Sequence, residues 1–293
     1  GERLMEGKLG AIVAIEPKTG QILAMVSAPT FDPRMMIGKL RGKYQREMTL
    51  DPAKPLLNRA IMGQYPPGST FKTGQAVTYY TEGVVSDSTR YPCHRGFYFK
   101  GLHVGCHPHA APISLVPAIS TSCNSYFCWG LYHMLSNRRK YKTLEDAMNV
   151  WRDYMVSMGF GYKLGIDLPG EKRGMIPNAK FYDNAFKRWN PLSVISISIG
   201  QGEVNLTPLQ IANLGATIAN RGYYLTPHVV RSIQGKKLDK KYVEKHRTKG
   251  SLRAYQEVIA GMISSVRGGT CAHAVHPGYS LAGKTGTAQN RGK

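Results

Sequence analysis

Two short apolar runs rich in Ile, Val and Ala, Leu9–Ile15 and Gln21–Ser27, flank the turn-forming stretch Glu16-Pro17-Lys18-Thr19-Gly20. That pattern predicts a β-hairpin at the start of the chain. Residues 30–65 are mixed and punctuated by proline, and they end in Tyr65-Pro66-Pro67-Gly68, a loop leading into a new element. From Ser69 onward Phe71, Val77 and Tyr80 have helix-compatible spacing, which predicts a helix starting at Ser69. Residues 84–112 read as irregular loop. Helical periodicity returns over Leu115–Leu135, Leu144–Met158, Thr207–Asn220 and Leu252–Ser265, and a strand pattern over Tyr279–Thr287 closes the series. Strands at both ends around a helical middle predict the α/β (α+β) class, with an antiparallel sheet built from both chain ends and an inserted helical lobe.

Length and composition narrow this reading. The 293 residues have room for one large domain or two ordinary ones, and no repeat, low-complexity linker or composition shift marks a boundary, so one domain over 1–293 is the simplest division. Apolar residues at 42% and charged ones at 19% are ordinary globular values, which excludes disordered and fibrous classes. No run of about 18 apolar residues is present to span a membrane. The five cysteines (Cys93, Cys106, Cys123, Cys128, Cys271) are odd in number and leave the redox compartment open.

Charge adds a constraint on partners. The formal net charge is +21, and its densest basic cluster lies between Lys236 and Lys249. Nucleic acid, an anionic membrane surface and an acidic polymer all fit such an excess. Neither a zinc-finger or basic-helix pattern nor basic residues interleaved with base-stacking aromatics occurs, so nucleic acid is the least supported of the three.

The chemistry concentrates in three short motifs. Ser69-Thr70-Phe71-Lys72 is the only S-x-x-K in the chain. At i and i+3 of a helix the hydroxyl and amine share a face. A Ser N-cap with an exposed Lys is the common meaning of such a tetrapeptide. A capping box would place Glu or Gln where Lys72 stands, however, and a cation in the first turn opposes the helix dipole. Partly buried there, Lys72 would lose its proton more easily, as a base for a serine nucleophile requires. Ser122-Cys123-Asn124 is the only S-x-N. K-T-G occurs at Lys18, Lys72 and Lys284, and only the last lies in a strand context and continues to Thr287.

In the order S-x-x-K, S-x-N, K-T-G-T, the sequence resembles the transpeptidase domain of class B penicillin-binding proteins, most like the elongation-type penicillin-binding protein 2 group. Supporting stretches include Ala14–Met25, Phe31-Asp32-Pro33, Asn58-Arg59-Ala60, Tyr65–Lys72, Gly200-Gln201-Gly202 with Thr207–Gln210, and Pro227-His228. The resemblance implies a serine β-lactamase/transpeptidase-like fold and a peptidoglycan D,D-transpeptidase or carboxypeptidase with no cofactor. Ser69 would be the nucleophile, Lys72 its base, Ser122 a proton relay and Asn124 a substrate and Lys72 anchor. Lys284, Thr285, Gly286 and Thr287 would receive the substrate carboxylate. The implied partners are D-Ala-D-Ala stem peptides, β-lactams, a membrane glycosyltransferase of the SEDS family and other elongation-complex proteins, with no nucleic acid. The implied place is the periplasmic face of the inner membrane. The family pattern also leads one to expect an N-terminal anchor and pedestal before residue 1, and further strand and helix after residue 293.

Alternatives remain at this level. A serine β-lactamase or β-lactam sensor shares the three motifs. None of the ten glutamates has Asn three residues later, which disfavours the class A deacylating arrangement. A non-catalytic basic binding domain is the alternative of another kind. Cys93, His94, His103, Cys106, His107 and His109 supply donors for zinc, Cys93 with Cys106 equally permits a disulfide, and unliganded loop residues fit as well. Cys123 reads as a small filler within its motif, and Glu171 as a structural loop residue.

Overall fold

The computed structural model describes residues 1–289. A one-turn helix α1 (Glu2–Met5) precedes β1 (Gly10–Ile15) and β2 (Ile22–Ala28), which pair antiparallel with Gly10 opposite Ala28 and a bulge at Ala14/Ile15. The hairpin turn closes through Gly20 at φ +78°, where a side chain would meet both strain and the backbone of Thr226. One face of the hairpin, Ala11, Val13, Ile15, Ile22 and Met25, packs on a small core that includes Ile61, Leu209 and Tyr224. Two helices, α2 (Arg41–Leu50) and α3 (Arg59–Met62), occupy the proline-punctuated stretch.

The largest core surrounds α4 (Lys72–Thr81), in which every residue from Lys72 to Tyr79 is buried. A helix enclosed on all sides needs its polar groups satisfied. Gln75 meets that demand, donating to Ile197 O at 2.9 Å and accepting from Trp151 Nε1 at 2.7 Å. Next come a second hairpin, β3 (Gly96–Phe99) with β4 (Leu102–Gly105), and the helices α5 (Leu115–Ser120), α6 (Asn124–Ser136), α7 (Leu144–Ser157), α8 (Ala179–Ala185) and α9 (Pro208–Ala219). Capping boxes start α7, through Thr143 and Asp146, and α9, through Thr207 and Gln210 with Pro208 at its first position. A third two-stranded pair, β5 (Tyr223–Leu225) with β6 (Lys245–Arg247), leads to α10 (Leu252–Gly268). Helices α6, α7 and α10 wall α4, and Phe71 packs against Trp151 and Phe160 at its entrance.

The α/β class, the opening hairpin and the helical middle agree with the sequence reading, and four details differ. Residues 84–112 are not wholly irregular. They hold β3 and β4, joined by Lys100-Gly101, both at positive φ, the conformation that tight hairpins demand. Leu115–Leu135 is two helices, because Ser122 at φ +57° turns the chain between α5 and α6. Ser69 lies in a 3-10 turn, Gly68–Phe71, and the α-helix proper begins at Lys72. Among the described residues the pairings are three separate two-stranded sheets, and Tyr279–Thr287 joins none of them. Instead of pairing with β1 or β2 it runs beside α10, with Gly283 N–H donating to Met262 O at 3.1 Å. Among the described residues, then, the expected pairing of the two chain ends is not seen.

Candidate active site

The Ser69 turn is held by backbone contacts. Gly68 N–H donates to Gly200 O at 2.9 Å, and a Cβ on Gly68 would stand 2.4 Å from Thr287 O. A Cβ on Gly200 would stand 2.2 Å from Gly68 O. Contacts that close exclude a side chain at either position. Ser69 is half-buried at this sandwich.

Lys72 is fully buried, one turn inside. Its Nζ donates to Ser122 O at 2.7 Å, Ser122 Oγ at 3.3 Å and Asn124 Oδ1 at 2.5 Å. Burial pushes its pKa down to about 8, with the thiols of Cys106, Cys123 and Cys128 opposing the shift. All three acceptors are neutral, so the ammonium lacks the carboxylate that would hold its proton. The backbone N–H of Lys72 donates to Ser69 O, and among the described residues no side-chain hydrogen bond joins Ser69 Oγ to Lys72 Nζ. Such nucleophile–base contacts often tighten only when substrate is bound.

The left-handed backbone of Ser122 costs about 1 to 2 kcal/mol for a residue with a Cβ. It delivers both the carbonyl and the hydroxyl of one residue to Lys72. Asn124 starts α6 and is anchored at both ends. Its Nδ2 donates to Gly105 O at 2.6 Å and its backbone N–H to Cys106 Sγ at 3.2 Å, which ties the S-x-N turn to the β3–β4 hairpin.

The third motif reaches the same place without strand pairing. A Cβ on Gly286 would lie 2.8 Å from Thr70 Cγ2, and Thr287 O touches Gly68. Lys284 Nζ donates to Thr285 O at 3.0 Å, and burial together with the Lys72 charge pushes its pKa down to about 7. Thr285 Oγ1 donates to Thr270 Oγ1 at 2.9 Å. The structure thus gathers Lys72, Ser122 and Asn124 by direct contact, and brings the Lys284–Thr287 segment to the Ser69 turn.

Beside this site Cys93, Cys106, His109 and Cys123 converge, with one ligand atom from each lying within 4.8 Å of all the others. His94, His103 and His107 stay outside the group, and His103 instead stacks on Tyr98 with ring centroids 4.1 Å apart. Cys123, read as a small filler, is fully buried and also belongs to this group. Its position between Ser122 and Asn124, in a chain with two cysteines and four histidines within residues 84–112, is the signal the sequence carried. Hydrogen bonds from Cys123, Asn124 N–H and His109 hold the Cys106 thiol well below its ordinary range. Glu171 accepts Leu164 N–H at 2.6 Å and Gly165 N–H at 2.9 Å, which is the loop-structural part read for it.

With this geometry in place, the penicillin-binding protein transpeptidase domain family matches residues 10–293. The chain belongs to that family. This transpeptidase domain is 35% identical over 293 residues to the peptidoglycan D,D-transpeptidase MrdA of Acinetobacter baumannii, covering 97% of the chain and 42% of that enzyme. It therefore spans less than half the length of that curated relative. Its fold superposes on a crystal structure of Pseudomonas aeruginosa PBP2 in complex with WCK 5153 with a TM-score of 0.83 at 30% identity, covering 98% of the chain and 64% of that one. Helicobacter pylori PBP2 in complex with MreC gives a TM-score of 0.81 at 26% identity, covering 99% of the chain and 52% of that one.

Proposed function

We propose that this domain cross-links peptidoglycan as a serine D,D-transpeptidase through an acyl-enzyme on Ser69. The observation that carries the reading is a buried Lys72 whose contacts are the neutral groups of Ser122 and Asn124, one turn from Ser69, in a domain related to D,D-transpeptidases. At a pKa of about 8, roughly a tenth of Lys72 is neutral at pH 7, where an ordinary lysine would be charged almost entirely. Neutral Lys72 takes the Ser69 proton as Oγ attacks the carbonyl of the penultimate D-Ala. The backbone N–H groups of Ser69 and Thr287 receive the developing oxyanion. Ser122 passes the proton from Lys72 to the leaving D-Ala amine, and the C–N bond breaks. The amine of a second stem peptide then attacks the ester, gives up its proton by the same route and frees Ser69. Lys284, Thr285 and Thr287 hold the donor's terminal carboxylate, a role suited to a cation and two hydroxyls, while Gly286 lets the segment approach the nucleophile turn.

Cys93, Cys106, His109 and Cys123 fit a structural zinc ion. Three thiols and an imidazole are a common four-ligand zinc set, and three converging thiols suit a metal better than a single disulfide. Bound there, zinc would supply cross-linking between the hairpin and the S-x-N turn and take no part in the acyl chemistry. The reading extends to D-Ala-D-Ala stem peptides and β-lactams as ligands, and to work at the periplasmic face of the inner membrane beside a SEDS-family glycosyltransferase, anchored by a segment outside this chain. A related PBP2 in complex with MreC supports an assembly of this kind.

Incubation with a penicillin followed by mass spectrometry of proteolytic fragments tests the chemistry. One adduct is expected, on the fragment holding Ser69, and none on Ser69→Ala. An adduct elsewhere, or identical labelling of Ser69→Ala, would remove the proposal.

A further inference from the structure

Thr285 has one hydroxyl proton, and in this structure it is directed at another side chain of the protein. Its Oγ1 donates to Thr270 Oγ1 at 2.9 Å, and Thr270 Oγ1 in turn lies 3.3 Å from Ser265 Oγ. Ser265 is fully buried near the end of α10. To hold a carboxylate by hydrogen bonding, Thr285 must donate to it, because a carboxylate only accepts. The proton now given to Thr270 then has to turn outward. Thr285 Oγ1 is left needing a donor, and Thr270 is the hydroxyl in place to become one.

Thr270 is also tied to the second motif. Its backbone N–H donates to Ser120 O at 3.0 Å, two residues before Ser122. The contact is close along the whole turn: a Cβ on Gly269 would stand 2.4 Å from Ser120 Oγ, and Ser264 Oγ donates to Ser120 Oγ at 3.2 Å. One residue therefore touches the carboxylate-receiving segment through its side chain and the lead into Ser122 through its backbone.

We propose that Thr270 is a positioning residue for carboxylate recognition, acting through Thr285. When the donor's carboxylate arrives, the hydroxyl chain reverses, Ser265 donating to Thr270, Thr270 to Thr285, and Thr285 to the carboxylate. Thr270 and Thr285 then each accept one bond and donate one, an arrangement in which neighbouring bonds polarise one another. Protons only reorient within this chain, and no net transfer occurs. The inference rests on the reading that Lys284, Thr285 and Thr287 bind a carboxylate.

Acylation of Ser69 by a penicillin and by its methyl ester, measured as rate against ligand concentration, tests both levels. In the unaltered protein the acid should acylate faster than the ester. Thr270→Val, nearly isosteric but without the hydroxyl, should slow acylation by the acid about tenfold, chiefly through weaker initial binding, and leave the ester within about twofold. Thr270→Ser should restore the acid rate. Thr270→Val combined with Thr285→Val should be no slower on the acid than Thr285→Val alone. Equal losses on acid and ester in Thr270→Val, or no loss on either, would overturn the role of Thr270 while leaving carboxylate recognition standing. No preference for the acid in the unaltered protein would overturn carboxylate recognition itself, and Thr270 with it.

Discussion

Lys72 and Lys284 set opposite protonation demands on one cleft. The proposed base must be neutral and the proposed carboxylate receptor charged, yet burial lowers both, to about 8 and about 7. The competent form, with Lys72 free of its proton and Lys284 holding one, is a minority species at every pH. Acylation by a penicillin should rise with pH as Lys72 loses its proton and fall as Lys284 does. The maximum is expected between pH 7 and 8. The two limbs report the pair rather than either residue. Lys284→Arg, whose guanidinium stays charged, should remove the falling limb and keep the rising one. Initial acylation rates across pH 6 to 10 at fixed ionic strength check this, and a flat profile would contradict it. Both lysines were legible in the sequence as motif members. Their burial was not, because Lys72 is enclosed by residues far along the chain, among them Phe127 with its ring centroid 5.6 Å from Nζ.

Periodicity revealed the long elements because each has a strong local cause. The capping boxes at Thr143 and Thr207 fix the starts of α7 and α9, and the Ile, Val and Ala runs fix β1 and β2. Elements defined by a turn were harder to read. The hairpin β3–β4 turns through Lys100, whose positive φ is not encoded by residue type, and the break at Ser122 is imposed by the packing that aims its carbonyl at Lys72. The absence of a ladder at Tyr279–Thr287 has the same origin, since alternation shows that a segment can extend and not whether a partner edge lies beside it. The convergence of Cys93, Cys106, His109 and Cys123 joins β3–β4 to α6 and makes an element-scale prediction. Elemental analysis of protein purified without chelator should find about one zinc per chain, and removing it should lower the melting temperature by several degrees. Cys106→Ser should abolish binding. Full stability in chelator with no metal content would refute the zinc site.

At the scale of the whole molecule the unbalanced feature is charge, a formal +21. The +21 is only partly offset between Lys236 and Lys249, where Asp239, Glu244 and the Lys249–Asp153 pair stand against exposed cations, and Val243 lies exposed among them. Anionic lipid and acidic wall polymer suit this surface and fit the proposed place of work. Replacing Lys236, Lys237, Lys240 and Lys241 by Glu should cut co-sedimentation with purified sacculi and with anionic vesicles at low salt, and leave Ser69 acylation unchanged. Unaltered sedimentation with both would show that the cluster serves neither surface.

The sandwich of Gly68 between Gly200 and Thr287 has one more consequence. Where two walls of a cleft meet through side chains, their spacing drifts as those side chains are exchanged over generations. Here the closest approach of the Ser69 turn to the Lys284–Thr287 segment is main chain against main chain, Gly68 against Thr287 O, with the Thr70 side chain beside Gly286. Exchanging side chains elsewhere around the cleft leaves that contact untouched, whereas a side chain at Gly68 or Gly200 would force its walls apart.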